Sequence, residues 1–201
     1  KSISHRSIII PSISNGICEV NNILKSDDVL HTLKAFKDMG VKIIESNKKI
    51  IIFGKGLNSL KKPENEIYLG NSGTSARLLT GLLAAQKFDT VLTGDNSLSK
   101  RPMERISEPL NRMNAKIFTS NGTMPLKIIG NDLIAKKFDL KIPSAQIKSG
   151  ILLASLNTKG ETFITENKVT RNHTEIMLKS FGADINIQNT ENRKLIKITG
   201  E

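Results

Sequence analysis

The chain has 201 residues, 38% of them apolar, with a formal charge of +11 at neutral pH, 4% aromatic residues and one cysteine. Its apolar content can supply a core, but no apolar run is long enough to cross a bilayer and no cleavable leader opens the chain. It therefore reads as a soluble protein of one or two domains, and its start at Lys1 rather than methionine reads as a piece of something longer.

Cys18, His5, His31 and His173 are too scattered for an internal disulfide or a zinc site, which suits a reducing, cytoplasmic setting. The basic balance raises the question of nucleic acid. Aromatic residues are too sparse for a base-stacking platform, however, and no run of five Lys/Arg occurs.

In chain order, KSISHRSIII starts a helix, ICEV a short strand and DDVLHTLKAFKDM an amphipathic helix with Asp27 suited to its N-cap. The strands VKIIES and KIIIFG follow. The next stretch, LGNSGTSARLL at 69–79, resembles a phosphate loop and equally a helix start capped by Asn71, Ser72 or Thr74. It is not a P-loop, because no Gly-Lys-Ser/Thr follows the glycines. ARLLTGLLAA is apolar on almost every face, the mark of a helix buried all round. Then come DTVLTG as a strand, PMERISEPLNRM as an amphipathic helix with Pro102 at its first position, and AKIFTS and PLKIIG joined by an Asn121-Gly122 turn. The same order recurs in PSAQIKSGILLASL, ETFITE, NHTEIMLKSF with Asn172 as N-cap, ADINIQ and KLIKITG.

This order is a repeat. Met39, Met113 and Phe181 occupy equivalent points 74 and 68 residues apart, and Lys1, Asn71 and Pro143 open equivalent helices 70 and 72 residues apart. The pattern predicts an α/β domain of three pseudo-equivalent units, about 1–68, 69–141 and 142–201, with no linker between them. Approximate threefold symmetry would then gather the starts of the first helices at one end. Lys1, Ser2, Arg6, Asn71, Gly73, Thr74, Arg77, Ser144, Gln146 and Lys148 would meet there, joined by Lys100, Arg101 and Arg171. Only seven of the 30 basic residues are arginine, so a rigid fork of donors is the exception here. Forked cations among aligned helix starts form a site for a polyanion.

Five segments, KSISHR, LGNSGTSARLL, SLSKRPMERISEPL, PSAQIKSGILLASL and TRNHTE, resemble the EPSP synthase (3-phosphoshikimate 1-carboxyvinyltransferase) family, in order along essentially the whole chain. The resemblance implies one of two domains, each of three βαβαββ units with buried parallel helices and outward-facing sheets, the second domain lying outside this chain. It implies transfer of the carboxyvinyl group of phosphoenolpyruvate to the 5-hydroxyl of shikimate 3-phosphate, without metal or organic cofactor. It also implies partners that are small molecules rather than nucleic acid or membrane. By matching motif, Lys1 would reach both substrates near the reacting oxygen. Ser2, Arg6, Ser144, Ala145, Gln146 and Arg171 would bind shikimate 3-phosphate. Asn71, Gly73, Thr74, Arg101 and Gln146 would serve phosphoenolpyruvate, with Arg77 supporting the loop.

Two features qualify the match. Many members carry a second serine where this chain has Ala145, and some herbicide-tolerant members carry alanine where it has Gly73. The alternatives are the enolpyruvyl transferase acting on UDP-N-acetylglucosamine, which shares the fold, and a non-catalytic anion- or nucleic-acid-binding module.

Overall fold

The computed structural model of the chain describes residues 1–47, 49–190 and 193–201. The first unit runs α1 (Ser2–Ser12), β1 (Asn15–Asn21), α2 (Asp27–Asp38), β2 (Lys42–Glu45) and β3 (Lys49–Lys55). The second runs β4 (Ile67–Tyr68), α3 (Gly73–Ala84), β5 (Thr90–Thr93), α4 (Glu104–Arg112), β6 (Lys116–Ser120) and β7 (Thr123–Ile129). The third runs β8 (Lys137–Leu140), α5 (Ala145–Leu156), β9 (Gly160–Glu166), α6 (His173–Ser180), β10 (Ile185–Asn189) and β11 (Lys194–Gly200).

Each unit makes its own sheet, ordered β1-β3-β2, β4-β5-β7-β6 and β8-β9-β11-β10. In each, the last strand of the unit lies between the strand after the first helix and its hairpin partner, all antiparallel. β4 and β8 add a parallel edge to β5 and β9. These two strands are absent from the residue-by-residue reading. β4 is only two residues long, and KFDL carries two charges in four positions. The Asn121-Gly122 turn forms as expected, with both residues at positive φ.

Helix starts differ from expectation in detail. Ser26 rather than Asp27 is the N-cap of α2, Ser72 is the one of its three candidates that caps α3, and Lys1 precedes α1. Ser144 and Asn172 stand at the expected N-caps. Pro102 lies ahead of α4, whose N-cap is Met103, because a 3-10 turn at Leu98–Lys100 carries the chain to the helix.

The core sits between the three sheets and is filled by α1, α3 and α5. From Ile147 to Ser155 every residue of α5 is buried, as are ten of the twelve residues of α3. Hydroxyls inside these helices return to their own backbone. Ser12 donates to the Ile8 carbonyl, Thr80 to that of Ala76 and Ser155 to that of Ile151, so no buried hydroxyl in these three cases lacks a partner.

The α3–α5 crossing is unusually close. A Cβ on Gly81 would lie 1.9 Å from the Gly150 carbonyl oxygen, and one on Gly150 would lie 2.8 Å from that of Arg77. At one end of this pair Arg77 reaches Gln146, and at the other the Asn157 amide donates to the Ala85 carbonyl, so the helices run in the same direction. Arg6 of α1 meets Ser149 of α5, and His5 meets Ser75 of α3. All three helices thus begin at one end of the molecule. Because neither backbone can retreat, Gly81→Ala should lower the unfolding free energy by about 3 kcal/mol or more in urea titration. A loss below about 0.5 kcal/mol would mean the helices can part without cost.

Candidate functional site

The shared end is built from helix starts. The Ser72 side chain accepts from the Ser75 N–H at 3.1 Å and the Ser144 side chain from the Ile147 N–H at 3.3 Å. The remaining first-turn N–H groups of α3 and α5 face the same end and give it positive potential.

His5 and Arg6, neighbours on α1, look toward different units. His5 is fully buried: Nδ1 lies 2.9 Å from Thr32 Oγ1 and 3.0 Å from Ser75 Oγ, and Nε2 lies 3.4 Å from Ser72 Oγ. Burial, partly offset by Asp28, pushes its imidazole down to about 4, so it is neutral at pH 7 and can both donate and accept. It ties α1 to α2 and to the cap of α3.

Arg6, 3% exposed, donates from Nε to Thr174 Oγ1 (2.6 Å), from Nη1 to the Ser2 carbonyl and hydroxyl (2.9 Å each), and from Nη2 to Ser149 Oγ (2.9 Å). All these acceptors are neutral. Burial lowers the guanidinium to about 10, with Glu175 working against that shift and Arg171 adding to it. Beneath it lies a buried ion cluster. Lys148 Nζ is 2.9 Å from Glu166 and 2.7 Å from Glu175, and Lys194 Nζ is 2.9 Å from Glu175.

The second and third units meet around Gly73. Arg101 donates to Asn71 Oδ1 at 2.5 Å, Arg77 donates to the Gly73 and Pro102 carbonyls and to Gln146 Oε1, and the Gln146 amide donates to Thr74 Oγ1. Arg77 is held below its usual range, first by burial and then by Arg101 and Arg105. A Cβ on Gly73 would lie 2.8 Å from Arg77 Nη1 and 3.0 Å from Arg101 Nη1. The two arginine forks therefore crowd the space beside Gly73.

Lys1 is not free. Its ammonium contacts Asp28 at the start of α2, in a pair whose lysine side is 56% exposed. Ala145 opens α5 and offers only backbone, while Arg171 is exposed just ahead of α6. Most of the predicted residues thus lie at the helix-start end, with Ser2 bonded to Arg6 and with Asn71, Thr74, Arg77, Arg101 and Gln146 bonded around Gly73, whereas Lys148 is fully buried in the ion cluster and does not reach the surface there. Sequence reasoning missed His5, Thr32, Ser75, Ser149 and Thr174, which join the groups. His5 was visible only as part of KSISHR.

A division of labour separates the cations. Among the described residues every ion pair is made by a lysine, and Arg6, Arg77, Arg101 and Arg171 have no carboxylate partner. The predicted residues also do not line the large cavity of about 990 Å³ at the opposite end, which Ile13, Leu156, Phe181 and neighbours enclose. Arg77, Arg101 and Arg171 reach an open face, with Arg6 buried just behind it.

Arginine forks without carboxylate partners stand here among aligned helix starts, on a scaffold of one αβαββ and two βαβαββ units, an arrangement that favours anions. The model of the family described as EPSP synthase (3-phosphoshikimate 1-carboxyvinyltransferase) matches residues 1–201, and the chain belongs to that family. A 3-phosphoshikimate 1-carboxyvinyltransferase of Ruthia magnifica subsp. Calyptogena magnifica is 54% identical over 188 residues, 93% of this chain and 43% of that protein. The protein of that name from Vesicomyosocius okutanii subsp. Calyptogena okutanii is 49% identical over 201 residues, 100% of this chain and 45% of its own length. The solved EPSP synthase of Acinetobacter baumannii superimposes with a TM-score of 0.93 at 50% identity, covering 100% of this chain and 45% of that one. The chain thus spans about half the length of the curated relatives it matches.

The His5 arrangement makes a pH prediction with a fixed sign. A folded-state pKa of about 4 against an ordinary 6.5 means that the unfolded chain binds the extra proton, so this stability is full above pH 6.5 and is lost as pH falls toward 4. The stability gap between the wild type and His5→Asn should narrow by about 3 kcal/mol from pH 7 to pH 4 in urea titrations. A gap independent of pH would show that His5 titrates normally.

Proposed function

We propose that this chain is the substrate-binding half of a two-domain 3-phosphoshikimate 1-carboxyvinyltransferase, built of three repeats at about 1–68, 69–141 and 142–201. The observation that carries this reading is the set of carboxylate-free arginines gathered with helix N-termini on one open face. Family membership and the half-length match to relatives of that name support it. An open face suits a domain that a second domain closes upon, excluding water from charged groups that interact weakly while solvated.

In this reading the 5-hydroxyl oxygen of shikimate 3-phosphate adds to C2 of phosphoenolpyruvate while the methylene carbon takes a proton and becomes a methyl group. The tetrahedral adduct then loses phosphate by cleavage of its C2–O bond and returns a proton from that methyl group, leaving the enol ether. Negative charge remains on two phosphates and two carboxylates throughout. The domain's task is therefore to hold four anionic groups in register.

Ser2, Arg6, Ser144, the Ala145 N–H and Arg171 serve shikimate 3-phosphate, and Gln146 lies between the substrates. Arg101 and the Gly73 turn serve phosphoenolpyruvate, with Asn71, Thr74 and Arg77 fixing the turn. Lys1 reaches the reacting oxygen by exchanging Asp28 for substrate. The lysine side of that pair is 56% exposed, so its ammonium is open to a substrate while Asp28 stays largely buried.

The test is turnover by the full-length protein with phosphoenolpyruvate and either shikimate 3-phosphate or UDP-N-acetylglucosamine as acceptor. Activity with the second alone, or with neither, sinks the proposal. The 201-residue chain by itself should bind shikimate 3-phosphate weakly in calorimetry and turn over nothing.

Two substitutions probe the phosphoenolpyruvate side. Arg101→Lys in the full-length protein should reduce kcat/KM for phosphoenolpyruvate about a hundredfold, because a point charge cannot replace the fork. A less than twofold change would return Arg101 to the surface. Gly73→Ala would push the Arg77 and Arg101 forks aside, so it should raise the KM for phosphoenolpyruvate and weaken inhibition by glyphosate, to which the full-length protein with Gly73 should be sensitive. Its cost in folding stability should stay below about 1 kcal/mol in the same urea titration, because the displaced atoms are side-chain ends.

A further inference from the structure

Arg6 is held by two residues that lie inside the TRNHTE and PSAQIKSGILLASL segments but to which the family resemblance assigns no role. Its Nε and Nη2 hydrogens go to Thr174 and Ser149, whose hydroxyl oxygens are themselves 2.6 Å apart. Ser149 Oγ also lies 2.6 Å from the Ala145 carbonyl, which has no hydrogen to give and so must accept. That fixes the direction of every bond. Ser149 donates to Ala145, Thr174 donates to Ser149, and both accept from Arg6. A side chain of the first unit is thereby joined through two hydroxyls of the third to the first residue of α5.

The two hydroxyls are themselves anchored. Thr174 precedes Glu175, which is fully buried and ion-paired with Lys148 of α5 and Lys194 of β11. Ser149 follows Lys148, which pairs with Glu166 of β9. Neither hydroxyl can move without disturbing a buried ion pair, and breaking a buried pair is costly. Thr174 is 1% exposed and Ser149 equally so, so neither meets a ligand directly.

From this we infer that Thr174, acting through Ser149, is a positioning residue that sets the Arg6 fork and the start of α5 relative to one another, and so governs affinity for the acceptor but not for phosphoenolpyruvate. The inference rests on the function proposed above. The selectivity arises because Arg101 and the Gly73 turn are held within the second unit, by Asn71 and by the Gly73 and Pro102 carbonyls, and meet α5 through Gln146, whose bonds to Arg77 and Thr74 involve neither Ser149 nor Thr174. Thr174→Val keeps shape and removes the hydroxyl, leaving the Arg6 Nε–H without an acceptor and the fork held by Ser2 and Ser149 alone.

The experiment uses the full-length protein in four forms: wild type, Thr174→Val, Thr174→Ser and Ser149→Ala. The KM for shikimate 3-phosphate should rise about tenfold in Thr174→Val and Ser149→Ala, with the KM for phosphoenolpyruvate within about twofold of wild type, and Thr174→Ser should restore the acceptor KM. Equal effects on both substrates, or Thr174→Ser behaving as Thr174→Val, overturn the inference. A substrate-free readout separates this result from failure of the proposed reaction. The Arg6 Nε–H proton should give a slowly exchanging NMR signal in wild type and Thr174→Ser and lose it in Thr174→Val. Survival of that signal in Thr174→Val overturns the positioning role whatever acceptor the protein uses, whereas absence of turnover in the wild type counts only against the reaction.

Discussion

Two helices that touch backbone to backbone can neither slide nor splay, and the crossing of α3 over α5 at Gly81 and Gly150 is a contact of that kind. It fixes where Gly73 stands relative to Ser144, eight and six residues upstream on the two helices. About two turns of helix separate each start from the crossing, so a shift of the crossing by one residue would move a start by about 1.5 Å. Hydrogen bonds between Arg77 and Gln146, and between Gln146 and Thr74, close only because that spacing is held. The apolar character of α3 and α5 follows from the same constraint, since helices this close must be covered on all sides by sheet.

The cost of this arrangement is electrostatic. Helix starts and four arginines at one end repel one another, and unit charges about 4 Å apart at an effective dielectric of about 20 interact by about 4 kcal/mol. A chain seeking only stability would put carboxylates there. Instead Glu166 and Glu175 lie one layer deeper, paired with lysines, and Arg6 is left with neutral hydroxyls and a carbonyl. The buried acids offset charge without closing the arginine donors, so the face remains positive while each cation underneath is satisfied. Lysine, a compact ammonium, serves the internal pairs. Arginine, whose planar fork suits carboxylate and phosphate, is bonded here to neutral groups and keeps no carboxylate.

Much of this was legible in the sequence because the repeat is written in residue types. A helix apolar on every face, followed by a short strand, an amphipathic helix and a hairpin, recurs at nearly constant spacing, and spacing survives errors in any single boundary. β4 and β8 escaped because neither carries a usable alternation: one has two residues and the other is KFDL. At the site, residue types at helix starts pointed to the right end of the molecule, but pairings did not. Arg6 meets Ser149 and Thr174 across 143 and 168 residues, and no local pattern announces such contacts. Gly73 shows the same limit. Its want of a side chain was evident, but that the neighbouring volume is filled by Arg77 and Arg101 follows only from the fold.

The pair His5-Arg6 shows how one helix turn couples the three units. Successive residues on a helix point about 100° apart, so adjacent side chains on a central helix face different neighbours. His5 takes the second unit through Ser72 and Ser75, and Arg6 takes the third through Ser149 and Thr174. A neutral imidazole is suited to the first task, since it accepts and donates among hydroxyls without adding charge next to Arg6. A second buried cation there would raise the repulsion already present, which explains why the position that ties the caps together holds a histidine kept unprotonated by its own burial. The charge on this face is therefore concentrated in the forks and helix starts, and the groups that align them are neutral or internally paired.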